Sequence, residues 1–567
     1  MTPPTAEGRL FRRLKRKTFF TLEILHNNDG ESELLGDGEF GGIARFAQTV
    51  ADLEDKATKG CKGFRPPVDR GAPLCDVLLV SSGDNILAGP EFSASLDEGP
   101  PFFDSEALDR IGYDAIALGN HEFDFGTAVL ADFVGGFRRS RAPFLSANLD
   151  FGPDGNLSSL AARRRLAASR VVRLKGQRVG VIGATTPRLR EISSPGDVII
   201  RQNVADDIQR EVHRLQSRGV KIIVLIAHLQ SINEDLELIP MLDGVDVVVA
   251  GGGDELLAND PGSVIPGDED DISGPYPLIA EDIDGTDIPV ITTSGQYRYV
   301  GRLRVEFNIF GEVLRSKGGP VVVEGAEDPE ILARVQEPVA NAVAALQAEQ
   351  IGTTQVELNG VRGDVRTIET NEGNLIADAL RWQATQVAGS VGQPAPDVAI
   401  QNGGGIRNDD VVPVGPLTVF DTFDWVPFPN FVTFVPGVSR ELFRQLLENA
   451  VSEVENVNGR FAQVSGFNFV WDASGVPGSS RVVDVILDDG TPIVVGGEVQ
   501  PGPALTLATI DFLARGGDGY PLAGITPVPT TFTYQQAVQN YIETELAGTV
   551  SAADYPAGGE GRITRLN

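Results

Sequence analysis

Histidine is scarce in this chain: four among 567 residues, at positions 26, 121, 213 and 228. A metal site here has few imidazoles to draw on and must lean on oxygen donors, which suit hard cations. Cysteine is scarcer still, with only Cys61 and Cys75, which bracket a Pro/Gly-rich stretch. Paired, they would close a loop of about fifteen residues and contribute roughly 3 kcal/mol in the chain-entropy view. A disulfide and an oxidising, extracytoplasmic (periplasmic or secreted) location are expected, with two free thiols as the alternative. Positive charge is deficient too. No lysine follows Lys317, the net charge is −32 and the pI is about 4.5. Such acidity disfavours nucleic acid as a partner, because phosphate backbones need a basic face. An anionic small-molecule substrate would have to be held by metal ions or by a few arginines. No run approaches the ~20 apolar residues of a membrane span. Residues 8–17 carry six Arg/Lys, but no apolar segment separates this basic tail, 1–18, from the first strand. It does not read as an intact signal peptide.

What the chain does have is a regular alternation of short apolar runs with amphipathic stretches. Strands are expected at 21–26, 77–81, 115–118, 144–148, 178–184, 222–227, 245–250 and 289–293, with helices at 43–53, 103–111 and 205–216. Such alternation implies a layered α/β domain. The acidic, Gly/Pro-rich segment 259–275 reads as a surface loop. A chain of this length exceeds one core, so two domains of roughly 200–300 residues are expected. The first is placed at 19–326, a helical, alanine-rich link at 327–351, and a second, α+β domain at 352–567, with helices at 375–384 and 440–452.

The stretch that organises the first domain is Gly119-Asn120-His121-Glu122-Phe123-Asp124. It leaves the apolar run 115–118, so an amide oxygen and an imidazole come together at a strand's carboxyl edge, where open α/β sheets bind ligands. Other strands end in ligand-bearing turns as well: Asp29-Gly30-Glu31, Gly83-Asp84-Asn85, Ala227-His228 and Gly251-Gly252-Gly253-Asp254. Carboxylates, an amide and an imidazole converging there suit a dinuclear site that clamps phosphoryl oxygens and generates hydroxide. His26, within the first strand, is expected to be a packing residue, and His213, on a polar helix, a surface one.

These motifs, together with Asn402-Gly403-Gly404-Gly405-Ile406-Arg407 and the run from Phe512 to Tyr520, carry a resemblance. The first domain is similar to the calcineurin-like metallophosphoesterases, and residues 20–530 resemble the two-domain 5'-nucleotidase/UDP-sugar hydrolase family. The resemblance implies a four-layer β-sandwich flanked by helices, plus an α+β substrate-binding domain. It implies that Asp84 bridges two metal ions, that Asp29 binds the first, and that Asn120 and His228 bind the second. His121, held by Asp124, would be the catalytic imidazole. In the second domain, Arg362, Arg366 and Arg407 match arginines that hold the phosphate end of a nucleotide. Phe428 and Phe512 match the aromatics that stack a nucleobase, Asp518 matches the carboxylate that takes ribose hydroxyls, and Asn402 lies in the matching glycine turn. For the two phenylalanines, ordinary core packing is the competing explanation.

The departures from the family pattern are equally specific. Glu31 stands where the family has histidine, and Gly252 and Asp254 replace the residues of its Gly-His-x-His motif. Glu31 and Asp254 would join Asp29 and Asp84 in an oxygen-only first position. Two divalent ions, with calcium or manganese (or magnesium) favoured over zinc, are therefore expected. The implied activity is metal-dependent removal of the 5'-phosphate from nucleotides, or cleavage of related esters and anhydrides. A general phosphomonoesterase or cyclic-nucleotide phosphodiesterase is one alternative, and a noncatalytic nucleotide binder with a decayed metal site is another. Oligomeric state is not legible at this level.

Overall fold

The computed structural model describes residues 14–59, 74–522 and 524–567. The chain divides into two compact units, with the main division between Ala342 and Val343. In the first unit the strands of the two large sheets are β1 (Phe20–Asn27), β2 (Leu74–Ser81), β3 (Ala115–Ala117), β4 (Phe144–Leu145), β5 (Leu166–Ala167) and β6 (Ser169–Leu174). They continue with β7 (Gln177–Thr185), β8 (Ile222–His228), β9 (Val247–Val249), β10 (Leu278–Glu281), β11 (Asp287–Ile291), β12 (Tyr299–Phe307) and β13 (Val313–Val322).

One sheet has the order β13-β12-β1-β2-β3-β4-β5 and a second the order β10-β11-β9-β8-β7-β6. The pairs β1–β2, β2–β3, β7–β8, β8–β9 and β9–β11 are parallel. Hairpins β12–β13, β6–β7 and β10–β11 close the edges in antiparallel fashion. Central strands such as Phe20–Asn27 and Ile222–His228 are buried along their whole length, as strands covered on both faces must be. Leu22, Ile24, Leu78 and Val80 from the first sheet share one core with Val179, Val181, Val224 and Ile226 from the second. The result is a β-sandwich. Helices Ile43–Thr58, Phe103–Ile111 and Val204–Ser217 lie between its strands in sequence.

The hairpin β12–β13 is absent from the strands expected on sequence, because its residues alternate instead of forming an apolar run. Leu303, Val305 and Phe307 point into the core while Arg302 and Arg304 pair with the buried Glu23 of β1. The acidic loop is pinned at Asp268, which takes two hydrogen bonds from Arg298 and one from the Tyr299 hydroxyl. His26 is fully buried on β1 with Nε2 3.0 Å from the Tyr276 hydroxyl, and His213 is exposed. Cys75, on β2, is disulfide-bonded; Cys61, its expected partner, lies outside the described residues, as does most of the basic tail. No described helix is long and apolar enough to cross a membrane.

The second unit is built on strands β14 (Val398–Asn402), β15 (Phe431–Val438), β16 (Ala462–Ser465), β17 (Leu505–Ile510) and β18 (Val528–Thr533), in the order β16-β14-β17-β15-β18. Helix Asn371–Val387 packs Leu375, Ile376, Ala379 and Leu380 into the same core as Val398, Ile400 and Leu507. Its first turn is capped by Thr370, whose hydroxyl accepts the Gly373 N–H at 3.0 Å. Helix Arg440–Ala450 adds Phe443, Leu446 and Leu447 to that core.

Candidate metal centre and substrate-binding residues

The carboxyl ends of β1, β2, β3 and β8 bring four candidate ligands together. Donor atoms of Asp29, Asp84 and His228 all lie within 4.8 Å of one another, and all three residues are buried. His228 Nδ1 is 2.9 Å from the Ser82 carbonyl oxygen, which fixes the proton there and leaves Nε2 for the centre. Nε2 lies 2.9 Å from Asp84 Oδ2, 3.2 Å from Asn120 Oδ1 and 4.0 Å from Asp29 Oδ1. Three oxygens thus lie within 4.0 Å of one imidazole nitrogen, drawn from both sheets of the sandwich.

The electrostatics fit a cation among these groups. Burial, reinforced by the charges of Asp254 and Asp84, pushes the Asp29 carboxyl up to about 7. Burial alone would lower His228, but the carboxylates of Asp84 and Asp29 push it up to about 10. Burial likewise works against Asp84, yet His228 and His121 hold it below the usual carboxylate range. A desolvated group carrying excess negative charge is neutralised by a divalent ion more completely than by one imidazolium.

Local backbone shape serves the same end. Asp29, Glu31, Asp84 and Asp254 are all non-glycine residues in the left-handed region, with φ of 50, 53, 49 and 57°. Such conformations cost energy and gather at functional turns. Gly119 must be glycine, since a Cβ there would sit 2.1 Å from Asp84 Oδ1. The His121 N–H donates to that same oxygen at 2.7 Å, and His121 Nδ1 lies 2.6 Å from Asp124 Oδ2. The imidazole stands outside the ligand group, with Nε2 3.9 Å from Asp84 Oδ2.

Two participants escaped the sequence reading. Glu122 is buried, and its carboxylate accepts the N–H groups of Gly119 at 2.7 Å, Asp84 at 3.0 Å and Asn85 at 2.8 Å. It binds the turn after β2 to the turn after β3; its place inside the motif was visible, its partners were not. Gln230 donates from Nε2 to Asn120 Oδ1 at 2.5 Å. Its only sequence signal is its position just past His228.

Glu31 and Asp254 are not part of the three-ligand group among the described residues. Glu31 donates its N–H to the Asp84 carbonyl at 2.9 Å, within the same loop cluster, and Asp254 is close enough to Asp29 to raise its pKa. Gly252, at the family's histidine position, has φ 89° and donates its N–H to both Asp29 oxygens, at 3.1 and 3.0 Å. A Cβ there would meet His228 Nε2 and the Gln230 nitrogen, each at 2.9 Å. The site uses this residue through its backbone.

In the second unit, Arg362 and Arg366 bracket the short helix Arg362–Val365, and Arg407 follows the turn Gly403–Gly405. Arg366 is buried, and its Nε has no hydrogen-bond partner among the described residues. Burial, then the charges of Arg362 and Arg407, push its guanidinium down to about 9, so the three arginines share one electrostatic neighbourhood. Asn402 donates from Nδ2 to Asp518 Oδ2 at 2.6 Å. Burial raises the Asp518 carboxyl against the hydrogen bond from Asn402 and the charges of Arg460 and Arg366. Phe428 and Phe512 are half-buried, both packed on the edge of the core, and the Arg407 guanidinium lies 5.7 Å from the Phe428 ring centroid. A clustered set of arginines beside an amide–carboxylate pair and two partly open rings suits a ligand with an anionic end and a flat apolar part.

A carboxylate–imidazole centre at the strand ends of an α/β sandwich, with three neighbouring arginines in the second unit, defines a metallophosphoesterase-type hydrolase. Residues 350–524 match the family described as 5'-nucleotidase, C-terminal domain. The 5'-nucleotidase of Diplobatis ommata is 30% identical over 521 residues, spanning 89% of this chain and 84% of that protein. The snake venom 5'-nucleotidase of Gloydius brevicauda is 29% identical over 515 residues, spanning 88% of this chain and 82% of that one. The crystal structure of a 5'-nucleotidase precursor from Thermus thermophilus aligns with a TM-score of 0.75 at 33% identity, covering 97% of this chain and all of that one. The chain belongs to the 5'-nucleotidase family, whose members are hydrolases of phosphoric esters and use divalent metals.

Proposed function

We propose that this protein is a metal-dependent 5'-nucleotidase that removes the 5'-phosphate from nucleotides. The observation that carries the reading is the group Asp29, Asp84, His228 and Asn120 with the His121–Asp124 pair beside it. Asp29, Asp84, Asn120 and His228 would hold two divalent ions, with Glu31 and Asp254 completing the first position. Bound there, such ions polarise phosphoryl oxygens and supply hydroxide at neutral pH. His121 keeps Nδ1–H on Asp124 and, as the imidazolium, donates from Nε2 to charge developing on the phosphoryl group. Arg362, Arg366 and Arg407 orient the anionic end of the substrate, Phe428 and Phe512 flank the base, and Asp518 with Asn402 takes the ribose hydroxyls. Residues 19–326 would then serve the metal chemistry and 352–567 substrate binding, with 327–351 as the link.

The preferred ions are calcium or manganese (or magnesium) over zinc. His228 is the one imidazole in the ligand group, since His26 bonds Tyr276, His121 pairs with Asp124 and His213 is exposed. Zinc favours nitrogen and sulfur donors in a four-coordinate shell, and this set is mainly oxygen. The disulfide at Cys75 supports an extracytoplasmic location. The test is phosphate release from AMP, UDP-glucose and p-nitrophenyl phosphate after chelation, with each ion added back. Turnover of AMP restored by Ca²⁺ or Mn²⁺ above Zn²⁺ is expected. Equal turnover of AMP and p-nitrophenyl phosphate, with none of UDP-glucose, which has no phosphomonoester, would favour a general phosphomonoesterase, and binding of AMP without turnover in any metal would overturn the enzymatic reading.

A further inference from the structure

We infer that the hydroxyl of Tyr534 is a positioning group for substrate selectivity, holding the turn that carries Phe428 in register with the turn that carries Asn402 and Arg407. The inference rests on the substrate-binding roles proposed above for those residues. Tyr534 opens the helix Tyr534–Asn540 directly after β18 and is fully buried, its ring within the core of the second unit. Its hydroxyl accepts the Phe428 N–H at 3.0 Å and donates to the Gly405 carbonyl at 3.2 Å. Its own N–H donates to the Asn430 carbonyl at 2.9 Å. The far end of the same loop is held by Asp511, whose Oδ1 accepts the Phe431 N–H at 2.8 Å, and Asp511 is the neighbour of Phe512.

The segment 427–431 is thus suspended between Tyr534 and Asp511, and the glycine turn Gly403–Gly405 hangs from the same hydroxyl. The two turns meet again where the Arg407 guanidinium approaches the Phe428 ring. A phenol used at once as donor and acceptor sets a spacing that neither turn could keep alone. Loss of its oxygen leaves the Phe428 N–H and the Gly405 carbonyl each short of a partner. Tyr534→Phe removes that oxygen and keeps the ring that fills the core.

The experiment uses the full chain and reads kcat and KM for AMP and for p-nitrophenyl phosphate in the same metal, for the parent, Tyr534→Phe and Phe428→Ala. Tyr534→Phe should lower the ratio of kcat/KM for AMP to that for the small ester roughly tenfold, through KM for AMP. Because both substrates are read on one preparation, any lost folded fraction cancels from the ratio. A ratio that falls in Phe428→Ala but stays constant in Tyr534→Phe overturns the inference and leaves the base-recognition reading standing. A ratio constant in both variants overturns the two together. A uniform fall in kcat for both substrates also overturns it, since a selectivity-positioning group acts on one of them.

Discussion

At the scale of single residues, His121 and Gly252 make opposite demands. Alanine at 121 removes the imidazole held by Asp124 and leaves Asp29, Asp84 and His228 in place. We expect kcat to fall roughly 10²–10⁴-fold while metal content, read by elemental analysis, stays constant; near-normal turnover would remove His121 from the chemistry. Gly252→Ala replaces no side chain of the site, yet forces a Cβ into the left-handed region against His228. A loss of about 1–3 kcal/mol in stability is expected, read from urea unfolding, with weaker metal binding by titration calorimetry. The same geometry argues that histidine cannot simply be grafted at 252. Asp29, Asp84, Asn120, His121 and His228 were legible because each follows an apolar run. Glu122 was not, because its value lies in three N–H groups from separate turns, which no local pattern announces.

At the scale of elements, the helix Asn371–Val387 carries a buried acid in its first turn. Glu372 is fully buried, with one oxygen taking a 3.2 Å hydrogen bond from Asn408 and the other without a partner among the described residues. Burial pushes its carboxyl up to about 8, and the charges of Asp424, Asp421 and Asp410 add to this. The folded value lies above the unfolded one, so the linked stability is fully present below the ordinary glutamate range near 4.5. It is lost as pH rises through that interval towards 8. Glu372→Gln should therefore raise the melting temperature at pH 8 and leave it nearly unchanged at pH 4, each kcal/mol recovered being worth roughly 2–4 °C. Equal melting curves at pH 8 would show that the acid is solvated. Elements that carry a continuous apolar stretch, such as β8 from Ile222 to Ala227 and β9, could be read directly. The hairpin β12–β13 could not, since charge on one face hides a strand whose other face is buried.

At the scale of the whole molecule, a chain of net charge −32 keeps Arg362, Arg366 and Arg407 in one electrostatic neighbourhood of the second unit and buries Asp29 and Asp84 beside His228 in the first. The family was legible from three motifs; which side chains of the separate turns meet in space was not. The candidate ligand group draws Asp29, Asp84 and Asn120 from the ends of β1, β2 and β3 in one sheet and His228 from the end of β8 in the other. An ion held there is a clasp across the two layers of the sandwich at one edge only. Chelation should accordingly speed amide hydrogen exchange at the carboxyl ends of β1, β2 and β8, measured by mass spectrometry. Protection at the amino ends of the same strands, which rests on the apolar core, should persist. Exchange that rises evenly along these strands would mean the ion supports the whole layer stack, and exchange that does not rise at all would mean the edge is closed without it.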